Sequence, residues 1–173
     1  MPVSRPSTNY YSYSPRVVWS WVLIILFSFV LFRFPGFGVP LASDELAMVS
    51  LWAKMPCLKI FTNYQYPNNH IFLSLVLSFL LKTFGLKEWL VRMPILICGI
   101  VSIFLSFYLG RRISRNSTVG FITAFLMSIC EKHIFYSTNA RGYLVIMVLA
   151  LLVMTCLLNR LEGHTFKIQK LSD

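Results

Sequence analysis

Asp44 and Glu45, in "LASDELAMV", and Arg141, in "STNARGYLV", are the residues of this chain whose types and settings point most directly to chemistry. A carboxylate at the edge of an apolar run can take a proton from a hydroxyl or hold a cation beside a phosphate. Asp44 also suits a plainer role, the N-cap of a short helix beginning at Glu45 with "SDE" as its acidic first turn, and both roles can coexist. Arg92 and Arg141 each open an apolar run, where a guanidinium suits a phosphate whose lipid tail lies along the helices. Snorkelling to ordinary lipid phosphates accounts equally for either arginine taken alone. His70, beside Asn68 and Asn69, could bind a phosphate or a metal, although an interfacial histidine is more often a neutral hydrogen-bonding group.

What must position these residues is a set of membrane helices. The chain of 173 residues is 57% hydrophobic and 16% aromatic, with only 13% charged residues and several separate apolar runs, which is the pattern of a polytopic membrane protein. Sixteen Lys and Arg against six Asp and Glu give a formal charge of +10. With no soluble fold to present them, these cations read as positive loops beside lipid headgroups and not as a nucleic-acid surface. Cys57, Cys98, Cys130 and Cys156 have no CxxC or metal-type spacing and imply neither a disulfide nor a metal.

The expected class is therefore all-α, with about four transmembrane helices. Residues 1–16, polar and Pro-punctuated, form a mobile cytoplasmic tail. The first span is Val17 to about Phe34, an uncleaved signal anchor with Trp19 and Trp21 at one interface and Arg33 snorkelling at the other, and "FPGFGVP" breaks it. A long external connection, 35–92, follows. Within it Ile71 to Leu81 is far short of the roughly 20 residues that a span needs, so it reads as an interfacial or half-buried helix. Met93 to Gly110 is the second span; the third, about 117–137, runs through Val119 to Cys130 and borrows part of "EKHIFYS"; Gly142 to Leu158 is the fourth, and 161–173 is a basic tail. If Ile71–Leu81 does not cross, Arg5 and Arg16, Arg111, Arg112 and Arg115, and Arg160, Lys167 and Lys170 all lie on one side, the cytoplasmic one. Asp44, Glu45, "YPNNH" and "NAR" then meet on the outer face.

The order of "SDE" after the first span, then "NNHIFLSLVLSFLLKTFGLKEWLVRMPILICGIVSIFLSFYLGRR", then "IFYSTNARGYL" resembles the N-terminal part of the GT-C glycosyltransferases that use lipid-linked sugars. The likeness is to the protein-mannosyltransferase-like and Rhizobium lipopolysaccharide-transferase-like branch, over about Val17 to Arg160. It implies membrane-parallel helices in the first external loop, Asp44 as catalytic base with Glu45 completing an Asp-Glu pair, and substrate contacts from Asn69, His70, Arg92, Arg141 and Tyr143. A histidine followed by proline is common in that branch, whereas Ile71 follows His70 here. The implied donor is a polyprenyl-phosphate sugar, with a divalent metal ion as an optional cofactor; the implied partners are membrane lipid and lipid-linked sugar in a bacterial inner membrane. Such enzymes usually have many more spans. The resemblance therefore implies a truncated or split front part, its missing helices supplied by a further chain.

The competing expectation is a non-catalytic scaffold or lipid-binding subunit whose charges only anchor helices. A transporter ranks third, because no apolar run carries an evident mid-membrane charge of the kind that ion coupling needs.

Overall fold

The computed structural model describes residues 14–63 and 70–172, and these are all-helical apart from short connections. Pro15 opens α1 (Pro15–Phe37), a position where its missing N–H costs nothing. The expected stop at Phe34 comes three residues late: Pro35 lies inside the helix, which gives way only at Gly38. Next come α2 (Ser43–Ala47), which widens into a π-helical stretch at Met48–Ala53, and then α3 (Cys57–Thr62) and α4 (Ile71–Phe84). Gly85, at φ +76°, ends α4 in a conformation that glycine adopts without strain. The long helices follow as α5 (Glu88–Ser114), the pair α6 (Ser117–Ile129) and α7 (Glu131–Thr138), and α8 (Tyr143–Ser172).

Three helices, α1, α5 and α8, are long and apolar enough to cross a membrane, as expected of an integral membrane protein. The most apolar window of α5 is 44% buried, against 17% for α1 and 6% for α8, so α5 is the central helix and the other two face outward. The fourth expected span, 117–137, is not continuous. α6 and α7 together have the length and hydropathy of a span, but they meet at a 60° bend at Cys130, whose backbone is extended. α4, with 14 residues, is the short apolar helix that the sequence suggested. The tail expected over 161–173 is helical as far as Ser172, since no proline follows Pro94 to stop α8.

The most extensive helix pairing is α5 with α6. Small residues bring the two backbones together: a Cβ on Gly120 would stand 2.8 Å from the Phe107 carbonyl oxygen, and one on Gly110 would stand 2.6 Å from Thr123 Oγ1. A backbone carbonyl cannot swing aside, so Gly120→Ala is expected to cost about 1–3 kcal/mol, read as a lowered unfolding temperature in detergent. Gly38→Ala is the control, because its Cβ would meet only the Pro35 carbonyl oxygen, at 4.0 Å. An unchanged unfolding temperature for Gly120→Ala would contradict this close approach.

The main apolar core lies at one end of the bundle. Met48, Val49, Trp52 and Ala53 of the π-helical stretch pack with Leu73 and Leu77 of α4, Val91 and Ile95 of α5, and Ala140 and Leu144 around the start of α8. A smaller cluster of Phe29, Ile103 and Ala124 joins α1, α5 and α6. The short helices of the first connection are therefore folded onto the ends of the long ones.

Candidate functional site

Two ties between distant segments build the site. The first is made by Glu45, fully buried in the first turn of α2. Its Oε1 accepts from Arg92 Nε at 2.9 Å and from the Ala140 N–H at 2.9 Å; its Oε2 accepts from Arg92 Nη2 at 2.7 Å and from the Ala42 N–H at 2.9 Å. Arg92, 3% exposed, gives its other N–H groups to the carbonyls of Gly36 and Val39, both at 2.7 Å, and of Pro40 at 3.2 Å. These carbonyls belong to the end of α1 and the turn after it, where a cation is electrostatically welcome. Burial pushes the Glu45 carboxyl pKa up, but the Arg92 hydrogen bonds, those from Ala140 and Ala42 and the nearby guanidinium charge together outweigh it. The net effect holds the carboxyl below its ordinary range.

The second tie is made by the sequence neighbours of the first. With Glu45 holding Ala140, Asp44 and Arg141 are brought together as an ion pair, their side chains 35% and 28% exposed. The two connections thus meet at one end of the bundle, as the sequence suggested from parity. His70, which precedes α4, packs its ring against Gly142, where a Cβ would lie 2.5 Å from His70 Cγ. The ring also meets Tyr143 edge-on, with centroids 5.5 Å apart, and Tyr143 in turn contacts Tyr136 at 4.8 Å. Burial lowers the His70 pKa and favours neutral imidazole; among the described residues its buried Nε2 has no hydrogen-bond partner.

Four candidates, Asp44, His70, Arg141 and Tyr143, therefore come from three separate segments to one partly open place. Two others change role. The four hydrogen bonds that Glu45 accepts occupy both its oxygens, so it cannot serve as a base. Arg92 has all five N–H donors engaged within the chain, so it holds the frame and has none for a substrate phosphate. The expected cap is also displaced: α2 starts at Ser43, and Asp44 lies inside the first turn, not at its N-cap. Asn69 lies outside the described residues. Among those residues no group of three or more His, Cys, Asp or Glu side chains is placed to hold a metal ion.

A second polar cluster was missed in the sequence. Arg33, 1% exposed, does not snorkel. It donates from Nε to Ser137 Oγ at 2.7 Å, from Nη1 to the Ser128 carbonyl at 2.9 Å and from Nη2 to His133 Nδ1 at 2.6 Å, and it covers the Phe29 ring at 4.1 Å. Arginine only donates, so His133 Nδ1 must accept, and the proton sits on Nε2, which faces Ser102 Oγ at 2.8 Å. Ser28 and Ser128 pair beside them at 2.8 Å. The bend at Cys130 explains this cluster, because ending α6 there leaves the Ser128 carbonyl without an intrahelical partner and Arg33 supplies one. The correction to the expected snorkelling is thus that the Arg33 charge is buried against α6 and α7 and does not reach out to headgroups. The signal available in the sequence was the recurrence of serine, at 28, 102, 106, 128 and 137, inside otherwise apolar runs.

Comparison of the chain with protein-family models, with characterised proteins and with solved structures gives no match.

Proposed function

We propose that this chain is a membrane glycosyltransferase, or the front part of one, that moves a sugar from a polyprenyl-phosphate donor to an acceptor at the outer face of a bacterial inner membrane. In this reading the bundle has about four spans, with α6 and α7 as one broken span, and α2 to α4 lie along the outer surface. The observation that carries the proposal is the meeting of Asp44, Arg141, His70 and Tyr143 at one end of the helices. Asp44 takes the proton of the acceptor hydroxyl as that oxygen attacks the anomeric carbon from the side opposite the phosphate. The bond from that carbon to the phosphate oxygen breaks with inversion, and Arg141 holds the departing polyprenyl phosphate.

The Asp44–Arg141 ion pair gives this scheme an order of events. A donor phosphate arriving at Arg141 replaces Asp44 as its partner, which frees the carboxylate for the acceptor. Removing the competing carboxylate should then strengthen phosphate binding. In native mass spectrometry of the detergent-solubilised full chain with decaprenyl phosphate, Asp44→Asn is expected to retain more lipid than wild type. Arg141→Ala is expected to lose about 10–100-fold, the worth of a charge-assisted contact, with Arg141→Lys in between. Equal retention by wild type and both Arg141 variants would remove the phosphate role. Weaker retention by Asp44→Asn would favour the second reading, a non-catalytic scaffold in which the ion pair only joins two loops.

A further inference from the structure

At the far end of α4 from His70 lies a half-open groove of about 290 Å³, lined by Val49, Ala53, Lys54, Leu81, Lys82 and Leu86. Twelve residues of helix separate His70 from Lys82, roughly 18 Å of rise, so the groove is distinct from the site above. Its floor, Val49 and Ala53, is buried and apolar, while Lys54 and Lys82 are exposed on its rim. The positive-φ turn at Gly85 brings Leu86 round to complete the wall. Among the described residues no carboxylate lines the groove to balance the two ammonium groups.

Two further observations say what could fill it. The short helices around it expose large apolar side chains: Leu58 is 75% exposed, Phe79 69% and Phe72 63%, a pattern that suits helices lying in the acyl-headgroup boundary. Leu86, on the groove wall, is itself 58% exposed, so the groove opens toward that same boundary. An occupant must therefore be apolar along the floor, anionic at the rim and available at the membrane surface. We propose that the groove binds one anionic phospholipid of the surrounding bilayer, with an acyl chain along Val49, Ala53, Leu81 and Leu86 and the phosphate between Lys54 and Lys82. The assignment does not depend on glycosyl transfer.

The test is lipid retention by native mass spectrometry, using the full chain in micelles with equal parts of phosphatidylglycerol and phosphatidylcholine. Wild type is expected to keep one phosphatidylglycerol in preference to phosphatidylcholine. Lys54→Gln with Lys82→Gln should lower its retention by about 25-fold, at about fivefold per lysine. Arg16→Gln with Lys132→Gln removes the same charge away from the groove and should leave retention unchanged. Both pairs change exposed side chains, and equal unfolding temperatures would show that each variant folds. Equal retention of the two lipids by wild type, or an equal loss in both double variants, would overturn the proposal. Displacement of the bound lipid by decaprenyl phosphate at equal concentration would overturn it in favour of the donor lipid.

Discussion

Arg92→Ala is expected to destabilise the chain by about 3–5 kcal/mol, because it strands a fully buried Glu45 carboxylate without its cation. The carbonyls of Gly36, Val39 and Pro40 lose their donors in the same step. Arg92→Lys should recover only a small part, since a single ammonium cannot reach acceptors spread around a planar fork. Chemical unfolding in detergent measures both variants, and a loss below about 1 kcal/mol for Arg92→Ala would show that the pair is not a structural tie. The same pair sets an acid limit. The Glu45 carboxyl is held below its ordinary value of about 4.5, so its contribution is complete above that pH. It shrinks as the pH drops further and is lost once the pH falls through the folded-state value. Glu45→Gln should flatten that acid limb of the stability profile while lowering stability at neutral pH.

His133→Lys is expected to cost about as much, for the opposite reason. It would place a second cation beside Arg33, where among the described residues no carboxylate forms a salt bridge with it. Two like charges about 4 Å apart repel by about 4 kcal/mol at an effective dielectric near 20. His133→Gln keeps a neutral acceptor there and should stay within about 1 kcal/mol of wild type. In an Arg33→Met background the lysine penalty should largely vanish, so a double-mutant cycle isolates the repulsion. A lysine penalty that is the same with and without Arg33 would mean that the guanidinium and the imidazole are not energetically coupled.

The sequence showed most where single residues or run lengths decide the outcome. The apolar runs of α1, α5 and α8 declared themselves by length, and α4 stood apart from them as a shorter apolar helix. Counting crossings was enough to bring the Asp44 and Arg141 segments to the same end. Direction was not legible. Asp44 and Glu45 are adjacent, and on a helix adjacent side chains point about 100° apart, so nothing in "SDE" says which carboxylate is buried. The bend at Cys130 was equally hidden, since "MSICEKHIF" contains neither proline nor glycine and a hydropathy sum carries no angle. Arg33 looked like an interfacial arginine because it is near the end of an apolar run. The residues that draw it inward, Ser128, His133 and Ser137, lie 95, 100 and 104 positions further on.

That separation has a consequence for how the protein is made. At about 5–20 residues per second, roughly 5–20 s pass between the synthesis of Arg33 and that of His133. During this interval α1 carries an unpartnered guanidinium, at a cost on the order of 3 kcal/mol if it enters the bilayer core. α1 thus has to wait for a much later segment before it can settle. Glu45 waits too, for Arg92 47 residues later and for Ala140 95 residues later. The emergence of residues 128–140 from the ribosome completes both sets of contacts, so the first helix reaches its final place only after the second connection has been made.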